Sequence, residues 1–318
     1  SVKELRSMGI SPNIIVARAD EPFDESIKAK ISLFCNVKPD CVIQNITLPC
    51  IYEAPLVLHE NGLDEVVCRE LGITTEKPDL TEWKELIYRI RSREKEVTIA
   101  IVGKYVRFHD AYLSIIESLN HAGFDKGTTV KIKWIESETV TEQNVGEKLN
   151  DVSGIIVPGG FGDRGIEGKI TACRYARENN IPYLGICLGM QIAVIEFARN
   201  VCGLKGAHST EFNIDSPHPV IALMEEQIGI TQKGGTMRLG AYPCKTREGS
   251  KIRLLYGREL ISERHRHRYE FNNAYRKIIT DNGLKICGTS PDDSLVEAVE
   301  LPSNDFFIGV QYHPEFKS

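Results

Sequence analysis

Long hydrophobic runs, internal repeats and low-complexity tracts are missing from this sequence. No apolar stretch has the length that a membrane helix requires, and no secretory signal is recognisable. The nine cysteines are an odd number without a C-x-x-C pair, which argues against a zinc site and against a disulfide framework. A net charge of −5 gives no general reason to expect a nucleic-acid partner. These absences favour a globular protein of a reducing, cytoplasmic compartment without membrane contact.

The sequence also lacks a phosphate-binding loop of the form G-x-x-x-x-G-K-[ST]. Gly103-Lys104-Tyr105 follows a predicted strand, but the earlier glycine and the Ser or Thr are absent there. We therefore expect no ATP chemistry, and no metal or cofactor site, from the residues of this chain alone.

The 318 residues allow about two domains, and strand and helix patterns alternate along most of their length. Residues 1–73 predict a first α/β segment. Residues 74–96 are charged and carry apolar residues at helical spacing, which predicts a helical linker. Residues 97–318 predict a second α/β domain with a mainly parallel sheet flanked by helices. In such sheets, a binding site lies at the C-terminal ends of the strands.

One stretch places a reactive group at a strand end. The apolar residues 181–186 predict a buried strand, and Met190, Val194 and Phe197 form one apolar face of the helix that follows. Cys187 lies between them in G-x-C-x-G, the nucleophile-elbow pattern with cysteine in place of serine. We expect the two glycines to allow a tight turn and leave room beside the thiol. The helix N-terminus would favour the thiolate. A structural cysteine in a tight turn is the alternative.

A cysteine nucleophile needs a base and a residue that orients the base. Residues 306–312 predict a strand, and His313-Pro314-Glu315 follows it. Side chains two residues apart in extended chain point the same way, so Glu315 is expected to hold the His313 imidazole in one tautomer. Cys187, His313 and Glu315 would then form a catalytic triad. A polar strand end without a catalytic role is the alternative.

The same chemistry needs donors for the negative charge that develops on the substrate oxygen. The apolar residues 155–157 lead into the glycine-rich turn P-G-G-F-G at 158–162. We expect the backbone amides of Gly160 and Leu188 to form this oxyanion hole. An ordinary glycine turn is the alternative for this stretch.

The motifs P-G-G-F-G, G-I-C-L-G-M-Q and H-P-E-F, in this order, resemble those of class I (triad-type) glutamine amidotransferases, which have a flavodoxin-like α/β fold. Further strings make the sequence similar to the CTP synthase family along its whole length. They are S-V-K-E-L-R-S at 1–7, H-S-T-E-F at 208–212, G-G-T-M-R-L-G at 234–240 and E-R-H-R-H-R-Y-E at 263–270.

The resemblance implies a glutamine amidotransferase (glutaminase) domain at 97–318 that hydrolyses L-glutamine. Glu211 would bind the α-ammonium group of the substrate, and Arg268 would bind its α-carboxylate through a bidentate fork. The implied glutamine contacts are Gly160, Leu188, Gln191, Glu211 and Arg268.

For residues 1–73, the resemblance implies the last part of a synthetase (amidoligase) domain, with most of the ATP and UTP site upstream. It also implies a family helix that is missing after Ser318. The complete enzyme would be a homotetrameric ligase that aminates UTP to CTP with Mg-ATP, with GTP as allosteric activator. Lys30 would contact the pyrimidine nucleotide (UTP or CTP), and Phe161 and Arg238 would contact GTP. The glycines of 234–240 would hinge a mobile loop over the site.

Two other classes of function stay open. One is a free-standing amidohydrolase or peptidase of the same fold, and the other is a non-catalytic assembly module. The basic run at 264–268 would also suit a nucleic-acid contact. The acidic charge balance and the lack of interleaved aromatic residues argue against that interpretation.

Overall fold

The computed structural model describes residues 1–223 and 237–317 of the chain. The chain forms two compact units, Ser1–Arg93 and Glu94–Ser318. No helix within the described ranges is long and apolar enough to cross a membrane.

A two-stranded parallel sheet forms the centre of the first unit. Its helices are α1 (Val2–Ser7), α2 (Glu25–Cys35), α3 (Ala54–Glu60), α4 (Leu63–Leu71) and α5 (Thr81–Arg91). Strands β1 (Ile15–Ala19) and β2 (Val42–Ile46) are parallel because α2 provides the crossover between them. A small apolar cluster of Cys41, Ile43 and Val66 packs beside the sheet.

Helix α5 carries the apolar spacing of the charged stretch 74–96, and it packs within the first unit. Ile87 and Ile90 are buried. The indole N–H of Trp83 donates to the carbonyl oxygen of Tyr52 over 2.7 Å. The first unit therefore extends to Arg93 and includes this helix.

The strands of the second unit are β3 (Lys95–Gly103), β4 (Thr128–Glu136), β5 (Gly154–Val157), β6 (Tyr183–Ile186), β7 (Ala207–Ser209), β8 (His218–Leu223), β9 (Arg238–Thr246), β10 (Leu260–His267), β11 (Tyr269–Phe271), β12 (Lys285–Thr289), β13 (Val296–Glu300) and β14 (Phe307–Val310). Nine of these described strands form one sheet in the order β10-β9-β12-β13-β14-β6-β5-β3-β4. Its neighbours from β14 to β4 are all parallel, as the predicted fold class requires. Strands β10, β9, β12 and β13 extend the sheet with antiparallel pairs. The remaining three strands form a small sheet in the order β11-β8-β7.

The helices of this unit are α6 (Leu113–Asp125), α7 (Val145–Leu149), α8 (Ile166–Glu178), α9 (Leu188–Asn200), α10 (Lys251–Tyr256) and α11 (Arg276–Asp281). The single apolar face predicted for α9 is wrong, because every residue from Leu188 to Ala198 is buried. The helix contacts the large sheet through β6 and β14 and the small sheet through β7 and β8. The carboxylate of Glu196 is tolerated inside because Arg177 Nη2 lies 2.8 Å from its Oε1.

The glycines on either side of Cys187 leave space where backbone segments approach each other closely. A Cβ on Gly189 would lie 2.0 Å from the carbonyl oxygen of Val157, and a Cβ on Gly185 would lie 2.4 Å from the carbonyl oxygen of Gly189. Neither glycine has a positive φ. The Gly185 contact spans the turn, so the missing Cβ lets the chain turn tightly there, as expected. Gly189 lets α9 lie directly against β5.

Three neighbouring strands carry the segments of the predicted site at their C-terminal ends. In the sheet, β6 lies between β5 and β14. The chain continues from β5 to Gly160, from β6 to Cys187 and from β14 to His313. The parallel half of the sheet thus brings together residues that are far apart in sequence, at the edge where α/β folds place their sites.

Candidate active site

Cys187 occupies the turn between β6 and α9. Its backbone has φ +53° and ψ −101°, a conformation that residues with a side chain rarely adopt. The amide of Cys187 donates to the carbonyl oxygen of Val310 over 2.7 Å, and its own carbonyl oxygen accepts from the amide of Met190 over 3.1 Å. These bonds to β14 and α9 hold the strained turn, as in a nucleophile elbow. The residue is only 4% exposed.

His313 and Glu315 meet as predicted, but through a different backbone. His313 Nδ1 lies 2.7 Å from Glu315 Oε1. Strand β14 ends at Val310, and Pro314–Phe316 form a 3₁₀ turn in place of the extended chain that we expected. Pro314 suits the first position of such a turn because it has no N–H to satisfy. The carboxylate therefore reaches the imidazole across the turn.

The environment of His313 keeps its imidazole protonated. Burial alone would lower the pKa of His313, but hydrogen bonds to Cys187 and to Glu315 outweigh it and raise that pKa to about 10. The imidazolium lies between a sulfur atom and a carboxylate. Both ring nitrogens of the protonated form are donors, so the ring can donate to the sulfur and to the carboxylate at once.

This pKa has a consequence for stability. A group whose pKa is higher in the folded state stabilises the fold below its unfolded pKa and loses that contribution as the pH rises. We expect the contribution of His313 to the free energy of unfolding to decline between pH 6.5 and about 10, the ordinary and the folded pKa of His313. His313→Gln removes the titrating ring and should flatten the decline. Urea denaturation of both proteins at the two pH values measures the difference, and an equal pH dependence would contradict the pairing.

The glycine-rich turn after β5 closes over the sulfur and the imidazole. A Cβ on Gly159 would lie 2.8 Å from His313 Cε1 and 3.5 Å from Cys187 Cβ, so the backbone there touches both side chains. Among the described residues, the amides of Gly160 and Leu188 donate no hydrogen bond to another part of the chain. Both amides are therefore available to a bound oxygen atom.

A cavity of about 170 Å³ extends from Cys187 toward the small sheet. The structure brings the sequence-predicted glutamine contacts together on its wall. The residues concerned are Gly160, Leu188, Gln191, Glu211 and Arg268, with Cys187 itself among them. The wall of this cavity thus carries a sulfur, backbone amides, a carboxylate and a guanidinium.

Glu211 is the acidic group of this cavity. Burial raises the pKa of its carboxyl, while the amide of Gly162, Lys104 and Arg268 act in the opposite direction. The Gly162 amide donates to Glu211 Oε1 over 3.4 Å. A partly buried carboxylate gains most from a ligand that carries a positive charge.

A second cavity of about 300 Å³ lies beside His313 and also reaches Cys187. Phe161 lines both cavities, and its side chain is 46% exposed. The guanidinium of Arg266 lies 5.9 Å from the centre of the Phe161 ring. Sequence reasoning singled out Phe161 and missed Arg266, although alternation along β10 could have placed Arg266 on the exposed face.

Arg238 lies inside the protein. It is 8% exposed, and its guanidinium lies 3.2 Å from Glu270 Oε1 and 2.8 Å from Glu297 Oε1. The expectation that it contacts a nucleotide is corrected, because its charge is already paired within the core. The predicted mobile loop covers residues 234–240, and its part from Arg238 onward belongs to strand β9. Gly234, Gly235 and Thr236 lie outside the described residues.

The basic run at 264–268 follows the alternation of a strand. His265 and His267 are buried, whereas Arg264 and Arg266 are exposed. Burial lowers the pKa of His265 to about 3, so this ring is neutral inside the sheet.

In the first unit, Lys30 lies exposed on α2. Within the described ranges, no group of three or more His, Cys, Asp or Glu side chains could hold a metal ion.

Known proteins resemble the chain in both units. A sequence model described as Glutamine amidotransferase class-I matches residues 107–318, and one described as CTP synthase N-terminus matches residues 1–73. The CTP synthases of Clostridium acetobutylicum and Carboxydothermus hydrogenoformans are 56% and 57% identical over all 318 residues. The chain spans 59% of the length of each. The solved glutaminase domain of Trypanosoma brucei CTPS, with bound acivicin, is 41% identical with a TM-score of 0.66, covering 69% of this chain and 86% of that one.

The site at the strand ends and the match over residues 107–318 define a class I glutamine amidotransferase domain. The CTP synthases that match all 318 residues, together with the T. brucei glutaminase domain, identify the family within this class. The chain belongs to the CTP synthase family.

Proposed function

We propose that this chain hydrolyses L-glutamine at Cys187 and supplies ammonia to a CTP synthase reaction. One observation carries the proposal: a single cavity holds Cys187, free backbone amides, a carboxylate and a guanidinium. The chemistry of these groups is complementary to the amide, the ammonium and the carboxylate of glutamine. His313 and Glu315 complete the triad on the other side of the sulfur.

The first half of the proposed reaction forms a thioester. The Cys187 thiolate attacks the side-chain amide carbon of glutamine, and the carbonyl electron pair moves to the oxygen. The amides of Gly160 and Leu188 stabilise this oxyanion. Protonated His313 then transfers its proton to the nitrogen, the carbon–nitrogen bond breaks, and ammonia leaves.

The second half restores the enzyme. Neutral His313, oriented by Glu315, takes a proton from a water molecule, and the resulting hydroxide attacks the thioester carbon. The carbon–sulfur bond breaks, glutamate leaves, and the sulfur returns to the thiolate while His313 carries the proton. Glu211 and Arg268 hold the α-ammonium and α-carboxylate groups throughout, and Gln191 completes the cavity wall.

For the whole protein, we propose the ATP-dependent amination of UTP to CTP with this ammonia, in a homotetramer of the cytoplasm. The family and the match of residues 1–73 to CTP synthase N-terminus support this assignment. The free thiols of the described cysteines fit a reducing compartment. The described residues contain no group of three or more His, Cys, Asp or Glu side chains that could hold the magnesium of Mg-ATP.

Membership of the family also supports two proposed nucleotide contacts, Lys30 for UTP or CTP and Phe161 for GTP. Lys30 is exposed on α2, where its ammonium group could meet a phosphate or a pyrimidine of UTP or CTP. Phe161 presents an exposed ring with Arg266 beside it, which suits stacking of the GTP base. Neither alternative class, the free-standing amidohydrolase and the non-catalytic assembly module, gains support from an observation in this structure.

Covalent labelling tests the glutaminase proposal directly. Acivicin, the compound bound in the T. brucei glutaminase domain, is an electrophilic analogue of glutamine. We expect one adduct per chain, on the peptide that contains Cys187, detected by mass spectrometry. L-glutamine should slow the labelling by occupying the same cavity, whereas D-glutamine should not.

Glu211→Gln and Cys202→Ala are the matched variants. The first removes the charge that binds the ammonium group and should slow labelling by about tenfold or more, because a charge-assisted hydrogen bond is lost. The second removes a thiol that does not line the cavity and should label like the wild type. Labelling that spreads over several cysteines, or that L-glutamine fails to slow, would refute the proposal.

A further inference from the structure

Gln311 is a buried amide directly after β14, and its neighbours restrict which way it points. The side chain is fully enclosed, at 0% exposure. Its backbone amide donates to the carbonyl oxygen of Glu297 over 2.8 Å, so the residue is fixed to β13. A buried side-chain amide must use its donors and its acceptor within the protein. The question is which of its two ends faces Cys187.

The backbone of Tyr269 fixes the orientation of the Gln191 amide, and Gln191 in turn fixes that of Gln311. The carbonyl oxygen of Tyr269 can only accept, and it lies 3.1 Å from Gln191 Nε2. The donor end of Gln191 therefore faces this region, and it also lies 3.4 Å from Gln311 Oε1. With its oxygen facing that donor, Gln311 presents its Nε2 to Cys187 Sγ at 3.7 Å. The orientation of both amides follows from one backbone carbonyl.

The sulfur thus lies between two donors. Gln311 Nε2 donates from one residue, and protonated His313 provides the other hydrogen bond. A thiolate accepts from both, whereas a thiol must also place its own hydrogen in the same space. The surroundings of Sγ are therefore arranged for the charged form of the nucleophile.

We propose that Gln311 is a positioning residue for Cys187, which holds the sulfur as a thiolate and connects it to the glutamine cavity through Gln191. Gln191 lines that cavity and also holds Gln311 in the correct orientation. The inference rests on the proposed function, because a role for the thiolate presupposes that Cys187 is the nucleophile. It assigns no contact between Gln311 and the substrate.

Alkylation of the chain by iodoacetamide tests the proposal without requiring turnover. The rate of modification of the Cys187 peptide is followed by mass spectrometry as the pH is varied. In Gln311→Glu, an acceptor replaces the donor at constant shape, and in Gln311→Met the donor is lost at similar length. We expect the midpoint of the pH profile to rise by about one pH unit or more in both, since a hydrogen bond to a charged atom is lost.

Steady-state hydrolysis of glutamine supplies a second readout. Because Gln311 does not touch the substrate, kcat should fall about ten- to a hundredfold while KM stays within about twofold. Asn304→Asp is the matched control: Asn304 is another buried amide, with Nδ2 donating to the Arg177 carbonyl oxygen over 2.8 Å, and it lines neither cavity. Its midpoint and kcat should match those of the wild type.

The outcomes separate this inference from the function on which it rests. Folded Gln311 variants with an unchanged alkylation midpoint would overturn the positioning role, even if kcat fell. If Gln311→Glu does not fold, Gln311→Met decides alone. Hydrolysis that persists in Cys187→Ala would refute the proposed function instead, and the alkylation profile of Cys187 would then have no bearing on catalysis.

Discussion

Replacing Cys187 with alanine is expected to abolish the release of ammonia from L-glutamine, with a loss of about 10⁴-fold or more. Among the described residues on the cavity wall, Cys187 is the only thiol, and the other polar side chains there belong to Gln191, Glu211, His267, Arg268 and Tyr269. Without a nucleophile, no thioester forms, and the oxyanion donors act only on an attack by water. An assay that measures ammonia and glutamate together detects the loss.

The fold should survive this replacement, so the loss can be attributed to chemistry. Alanine keeps a Cβ at the position and tolerates the same φ no better or worse than cysteine does. Circular dichroism and thermal unfolding should therefore remain close to those of the wild type at neutral pH. Cys202→Ala is the control, since burial raises the pKa of Cys202 to about 11 and keeps it as a thiol. A Cys187→Ala protein that hydrolyses glutamine at the original rate would disprove the assignment.

The second large effect concerns the fold itself. Gly189→Ala should lower the free energy of unfolding by about 3 kcal/mol or more, because overpacking against a backbone cannot be relieved by a side-chain rotation. The new Cβ would lie 2.0 Å from the Val157 carbonyl oxygen and 3.0 Å from its carbon. Either α9 or β5 must move. Since β5 leads to Gly160 and α9 begins at Leu188, any movement also displaces the proposed oxyanion hole.

Helix propensity alone predicts that Gly189→Ala raises the free energy of unfolding. The sign of the measured change therefore distinguishes propensity from overpacking. At a helical position where the new Cβ meets no close neighbour, Gly→Ala raises the free energy of unfolding by up to about 1 kcal/mol. Gly146→Ala in α7 tests that case, because its Cβ would meet only the Tyr175 ring, at an ordinary distance of 3.8 Å. Urea denaturation should show a small gain for Gly146→Ala and a large loss for Gly189→Ala. A Gly189→Ala protein as stable as the wild type would show that the helix and the strand are not packed as described.

The sequence predicted the segments of the site well because each segment is a local pattern. An apolar run, a glycine-flanked cysteine and a second apolar run specify strand, turn and helix without reference to the rest of the chain. The glutamine contacts Glu211 and Arg268 were implied by the resemblance alone. The structure brings both residues to the wall of the cavity that Cys187 lines. Parallel strands supply the reason, because their C-terminal ends meet at one edge.

What the sequence did not predict depends on contacts between distant segments. The single apolar face predicted for α9 did not anticipate that the small sheet also covers the helix, with Arg177 neutralising Glu196 inside. The resemblance implied that Arg238 contacts GTP, yet two acidic residues far along the chain pair with its guanidinium. Gln311 carried no signal, because a single glutamine after a strand is more often a solvated residue than a partner of a sulfur atom.

The backbone of Cys187 shows where chemistry and folding have opposite preferences. A residue held at φ +53° costs the folded state of order 1–3 kcal/mol relative to an unstrained one, and glycine would avoid most of that cost. Glycine, however, has no sulfur. During random mutation, the most stable residue at position 187 is therefore an inactive one, and only selection for activity can retain the cysteine. A lineage released from that selection should lose its nucleophile while its fold becomes more stable.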